Sequence, residues 1–418
     1  MHTDKHTINR RHFVTGLAAG TMLAGASHAS ERPLSGQPQL QLQGNQFDLG
    51  IGYREVNLTG QSRQATVVNG ALPGPILRFR EGEEVILNVT NNLAVDSSIH
   101  WHGLILPPGM DGVPGISFPG IRPGETFRYR FPVQQAGTYW YHSHSGFQEQ
   151  TGMYGAIVIE PREPTPYRYD RDYVVLLSDW SDEKPERILA KLRTDGHYYN
   201  TNPRTLGDLW SDIRDKGMAA TWRDRAMWNR MRMNDRDISD VTGATYTFLV
   251  NGHTPAANWS GLFRRGEKVL LRFVNAGAMT IFDVRIPGLK MTVVAADGQY
   301  VEPVTVEEFR IGSAETYDVI VEPQDGAYTL FAQAIDRSGY ARGTLTEQPG
   351  LTAPVPAMDP PPVLTHSDMG MAGHAGHNMH AGHSMHAGHS GHSMPSAQSH
   401  AAGEYGYNVD MRAEQPRN

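Results

Sequence analysis

"ETFRYRFPVQQAGTYWYHSH", Glu125 to His144, decides the fold. Apolar and polar residues alternate through its first half, Gln134 to Gly137 form a turn, and a second run rich in aromatic residues follows. Period-two alternation bounded by turn residues is the mark of half-buried antiparallel strands. The second run ends in a His-x-His pair, and "IHWHGLILP", Ile99 to Pro107, carries another around a tryptophan. Residues i and i+2 of a strand share a face, so His100 and His102 project together, as do His142 and His144, while Trp101 packs behind.

Working outward, "ATVVNG" (Ala65 to Gly70) and "PILRFREGEEVILNVTNNL" (Pro75 to Leu93) extend the alternation. A weaker copy follows. "GLFRRGEKVLLRFVNAG", Gly261 to Gly277, repeats the second of these stretches, and "FRIGSAETYDVIVEPQDGAYTLFAQA", Phe309 to Ala334, repeats the opening one. The economical reading is an all-β chain with two tandem β-sandwich domains, at 39–165 and 170–350. Where the first has "IHWHG" and "YHSHSG", the copy has "FDVRIPG" and "TLFAQA". The histidines are therefore not a requirement of the fold.

Between the repeats, "LGDLWSDIRDKGMAATWRDRAMWNRMRMNDRD", Leu206 to Asp237, has helical spacing and defines an insertion at 203–240. Met227, Met231 and Met233 there form either a packing surface or a soft-metal face. The chain from 351 to 418 is low-complexity, His- and Met-rich and poor in large apolar residues, so a disordered tail is expected. Its His374, His377, Met379, His380, His383, Met385, His386, His389, His392 and Met394 offer imidazoles for Cu(II) and thioethers for Cu(I).

The N-terminal "NRRHFVTGLAAGTMLAGASHA", Asn9 to Ala29, combines paired arginines, a short apolar segment and a small-residue exit. Residues 1–29 are expected to be an export signal of twin-arginine type, placing the rest in a periplasm. A net charge of −7 without a clustered basic face excludes a nucleic-acid partner, and no apolar run is long enough to span a bilayer. The 418 residues contain no cysteine, so neither disulfides nor metal thiolates are available.

If these strands are neighbours, four imidazoles converge on one patch suited to copper, zinc, iron or nickel, with copper heading the divalent affinity series. "HWHG", "DGVPGISFPGIRPGETFRYRF" and "GTYWYHSHSG" together resemble the first cupredoxin domain of the multicopper oxidases, in particular the periplasmic copper resistance group. The resemblance implies a type 2 copper at His100 and a type 3 pair held by His102, His142 and His144. It also implies one-electron oxidation of phenols or Cu(I), with dioxygen reduced to water. Phe118 stands where some members of the family have a cysteine. The family's third domain, with its His-x-x-His-x-His and His-Cys-His motifs, has no counterpart here. A truncated form, a short copper-binding form, and one half of a split oxidase completed by a partner chain are the three arrangements this leaves. For the chain alone, copper sequestration without oxidase turnover is expected.

Overall fold

The computed structural model describes residues 39–366 and 368, with the backbone of Met411 and Arg412. The expected signal at 1–29 and the ten tail ligands from His374 to Met394 lie outside the described residues.

The first nine strands are β1 (Gln41–Gln43), β2 (Gln46–Asn57), β3 (Ser62–Val68), β4 (Ile76–Arg80), β5 (Glu84–Asn91), β6 (His100–His102), β7 (Thr126–Pro132), β8 (Gly137–His142) and β9 (Tyr154–Glu160). They form a sandwich of two sheets, ordered β1-β4-β9-β8-β6 and β3-β2-β5-β7. Its core joins Leu49, Leu87 and Val89 of one sheet to Trp101, Tyr139 and Tyr141 of the other. Burying an aromatic side chain of this size in place of alanine is worth about 3–5 kcal/mol, so β6 is held chiefly by Trp101.

The second sandwich begins at β10 (Arg171–Ser181). Three helices follow: α1 (Pro185–Thr194), α2 (Leu206–Lys216) and α3 (Met218–Met231). It continues through β11 (Tyr246–Val250), β12 (Trp259–Leu262), β13 (Val269–Asn275), β14 (Phe282–Arg285), β15 (Met291–Ala296), β16 (Gln299–Val306), β17 (Glu308–Ile311), β18 (Thr316–Val321), β19 (Ala327–Ala334), β20 (Tyr340–Thr346) and β21 (Met411–Arg412). Its sheets run β11-β10-β13-β18-β15-β16 and β12-β20-β19-β14-β17-β21. The fold class is therefore all-β with two tandem cupredoxin-like sandwiches and a helical insertion.

Helix begins before the expected insertion at 203–240, with α1. Pro185 in the first turn, Glu186 beside it, and Lys191 and Arg193 in the last turn give α1 its start and end. Thr205 caps α2 reciprocally with Asp208, and Gly217 separates α2 from α3 at a φ of 82°. Trp228 is almost fully buried, as a packing role for this helix requires, whereas Trp210 and Trp222 are exposed.

The expectation of a disordered tail from 351 onward needs correction at its start. Ala353 and Pro354 carbonyls accept from Thr329 Oγ1, and the Ala357 carbonyl accepts from Arg285. Asp359 pairs with Arg285 at 3.1 Å and accepts from Gln333 at 2.7 Å. Residues 353–359 thus cover the outer face of β14 and β19, which presents Asp283, Arg285 and Gln333. Composition misses this because the ordering comes from long-range ion pairs and not from apolar content.

The two sandwiches meet along β8, β9, β10 and β13. Trp140, Tyr154, Ala156 and Val158 of the first pack with Val174, Leu176, Val274 and Ala276 of the second. In β8 the alternation is therefore buried on both sides: Tyr139 and Tyr141 enter the first core, while Thr138, Trp140 and His142 face the junction. No helix among the described residues is long and apolar enough to cross a membrane.

Candidate metal centre

β6 pairs antiparallel with β8, placing His100 opposite His142, Trp101 opposite Tyr141 and His102 opposite Trp140. Trp101 and Tyr141 fill the core, so the histidines occupy the other face. One-residue alternation across two neighbouring strands is what assembles the cluster. Ligand nitrogens of His100, His102 and His142 lie within 4.8 Å of one another. His144 follows the end of β8, two residues past the strand, yet its ring stands 4.9 Å from both His100 and His142. All four sequence-identified histidines are thus brought together, three as a tight group and His144 at the rim, where it is exposed.

The outer contacts set which nitrogen each ring offers. His100 Nδ1 donates to the Asp111 carbonyl at 2.8 Å. His142 Nδ1 donates to Glu149 Oε2 at 2.8 Å. Both rings therefore turn Nε2 and its lone pair inward, the arrangement by which second partners fix metal-binding imidazoles. His102 is oriented the other way, its Nδ1 facing His142 Nε2 at 3.4 Å. Trp140 stacks on His142, ring centroids 4.1 Å apart and planes within 9°, and leans over His102 at 5.1 Å.

Burial lowers the pKa of His100, His102 and His144, with mutual repulsion between the rings adding to it. His102 falls to about 4. At neutral pH these three rings are uncharged and carry free lone pairs. Because the folded pKa lies below the ordinary 6.5, stability present above pH 6.5 is lost as pH falls towards 4.

A close backbone approach holds the Asp111 carbonyl in place. Gly112 sits at φ +81°, and a Cβ there would lie 1.8 Å from the Ile99 carbonyl oxygen. Gly112→Ala is expected to push the Asp111 loop off β6 and weaken metal binding at His100, with about 1–2 kcal/mol of backbone strain besides. A copper titration paired with urea unfolding measures both, and an alanine variant with wild-type affinity would contradict this role.

Sequence reasoning missed Glu149, the Asp111 carbonyl and the stacking role of Trp140. Glu149 lies in the loop "SGFQEQTG" with no periodic signature, and a carbonyl has no side-chain identity to read. In the second sandwich the corresponding strand pair is β14 and β19, whose outward positions carry Asp283, Arg285 and Gln333. Asp283 pairs with Arg310 and Arg337. That face is an ion-pair network and offers no imidazole.

Beside the histidines, a cavity of about 200 Å³ opens between the sandwiches, lined by His102, Tyr139, Trp140, Asp297 and Glu315 among others. Both carboxylates are engaged, Asp297 accepting from the Thr316 amide at 3.0 Å and Glu315 from the Gly312 amide at 2.6 Å.

The geometry accords with known proteins. Residues 50–164 and 171–350 each match multicopper oxidase domain families. Copper resistance protein A of Escherichia coli is 58% identical over 375 residues, covering 89% of this chain and 62% of that protein. A multicopper oxidase of Mycobacterium tuberculosis is 32% identical, covering 83% of this chain and 68% of its own length. The crystal structure of laccase from Botrytis aclada superposes with a TM-score of 0.57 at 25% identity, covering 78% of this chain and 56% of the laccase. The chain belongs to the multicopper oxidase family, and copper is its cofactor. It spans about 62% of the length of the copper resistance proteins it matches.

Proposed function

We propose that this chain is an exported copper-binding protein of copper resistance, holding the metal through His100, His102, His142 and His144. The observation that carries the reading is the facing of His102 Nδ1 and His142 Nε2 at 3.4 Å. Two such nitrogens suit a single cation bonded to each at about 2 Å. The neutral imidazoles and their fixed tautomers fit copper, and nothing in the donor set conflicts with it. The family assignment of His100 to a type 2 copper and of the other three to a type 3 pair is supported by their convergence on one face.

Copper bound there supplies electron acceptance and oxygen binding. The residues of this chain contribute orientation, through Glu149 and Asp111, and partial exclusion of water, through Trp140. Oxidation of phenols or Cu(I) with reduction of dioxygen is proposed for the site when a third domain, or a partner chain carrying one, completes it. With no cysteine this chain cannot itself build a His₂Cys blue-copper site. Copper-loaded chain alone is therefore expected to show neither blue absorption nor sustained oxygen uptake with a phenol, and turnover would overturn this part of the reading.

Export to the periplasm is proposed from the twin-arginine pattern of residues 1–29. The ligand-rich repeat from His374 to Met394 is proposed to hold further copper weakly. Imidazoles with the ordinary pKa of about 6.5 release metal as pH falls below 6. Burial lowers the pKa of His100, His102 and His144, so the strand site retains it longer. A Cu(II) titration at pH 7.5 and at pH 5.5 is expected to lose the weak equivalents and keep the tight one. Loss of every equivalent together at pH 5.5 would contradict the assignment.

A further inference from the structure

Strand pairing stops short of His144. β8 ends at His142, so neither its ladder to β6 nor its ladder to β9 fixes a residue two positions further on. Among the described residues, no carboxylate or carbonyl holds the His144 ring as Glu149 and Asp111 hold those of His142 and His100. The ring nevertheless stands 4.9 Å from that of His100. Its place has to come from the backbone that carries it.

A buried polar lattice grips that backbone. Gln148, Ser97, Ser98 and Ser143 are all buried. Gln148 Oε1 accepts from Ser97 Oγ at 2.7 Å and from Ser143 Oγ at 2.9 Å, and its Nε2 donates to the Asp96 carbonyl at 2.9 Å. Ser143 Oγ in turn accepts from the Ser145 amide at 3.0 Å. Ser98 Oγ accepts from the His144 amide at 3.1 Å and shares a hydrogen bond with Ser145 Oγ at 2.8 Å. Residues 143, 144 and 145 are thus each held by the segment 96–98, which leads into β6 and His100. That segment is anchored by a two-way backbone bridge between Ser97 and Ile121.

Buried hydroxyls and amides are costly unless paired, and a fully paired network rigidifies what it joins. Apolar side chains would fill the same space without fixing the path of the chain across it. The lattice therefore sets the position of residues 143–145 relative to 96–98, and with it the position of His144 relative to His100.

We propose that Gln148 and Ser98 are positioning residues for His144. Through the lattice they lock the chain beyond β8 in the path that brings this imidazole up to His100, so the fourth ligand is in place before metal arrives. The purpose of the clamp rests on the copper reading of the strand site, whereas its hold on the ring rests on geometry alone.

The ring is followed directly, in the metal-free full chain labelled with carbon-13 at histidine Cε1. The His144 resonance is identified by its absence in His144→Ala, and its relaxation reports ring mobility. In Gln148→Leu and in Ser98→Ala this resonance is expected to gain fast motion, while that of His142, held by Glu149, does not. The affinity of the tight Cu(II) equivalent, measured against a competing chelator, is expected to fall about 3–10-fold, the cost of ordering one freed side chain. In a His144→Ala background neither change should lower it further. Ser98→Ala removes a single hydroxyl and keeps the test decisive if the leucine variant fails to fold. An unchanged His144 resonance in folded Ser98→Ala overturns the proposal, as does an equal loss of affinity in both backgrounds. Equal loosening of His142 overturns it too, because the lattice would then support the whole loop. Read without metal, the resonance decides the clamp separately from whether the strand histidines hold copper.

Discussion

Replacing Glu149 by glutamine is expected to weaken copper binding at the strand site by about 10–100-fold. Glu149 Oε2 holds the proton of His142 Nδ1 at 2.8 Å and thereby commits Nε2 to the metal. The charge also makes the imidazole a better donor. Glutamine keeps an acceptor but loses the charge, and it can present its amide to Nδ1 and favour the wrong tautomer. The Glu149 side chain is about a quarter exposed, so folding should change little. The cycle with His142→Ala separates orientation from a general electrostatic effect. In the alanine background the glutamine change should have almost no further effect. An equal loss in both backgrounds would mean that Glu149 acts on the site from a distance and not through His142.

Arg272→Met is expected to cost about 3–5 kcal/mol of stability. The guanidinium is buried at the junction of the sandwiches, where it meets Asp172 at 2.9 Å, Asp318 at 3.0 Å and Thr138 Oγ1 at 3.1 Å. Asp318 also accepts from Thr138 Oγ1 at 2.6 Å, and burial pushes its carboxyl pKa upward against the pull of Arg272. Removing the cation leaves two carboxylate charges, Asp318 with no cation beside it and Asp172 held by Arg78 alone. Adding Asp318→Asn should restore a substantial part of the loss, because one of those charges is gone. Strict additivity in urea unfolding would contradict this coupling. Since Thr138, Trp140 and His142 share one face of β8, the single variant should also lose copper affinity.

The alternation in "GTYWYHSH" and "IHWHG" made the strands, their shared face and the four histidines legible, because period two is a local property of the chain. Which strands pair is not local. Only the β6–β8 register shows that His100 opposes His142. The loss of histidines from the second sandwich was readable, but what replaced them was not. Asp283, Arg285 and Gln333 acquire meaning only once Asp359 is seen lying across them. Helix α1 did carry a signal, with Pro185 at its first turn and basic residues at its last. The placing of His366 was not readable, since its contacts with Trp228 and Asp224 span more than a hundred residues.

The expectation that decides most is that His102 and His142 share a bound copper ion. Its most direct test is an anomalous difference map, at the copper edge, from crystals of the copper-loaded chain. A peak is expected about 2 Å from both His102 Nδ1 and His142 Nε2. Copper found elsewhere on the chain, with no density between those two nitrogens, would contradict it.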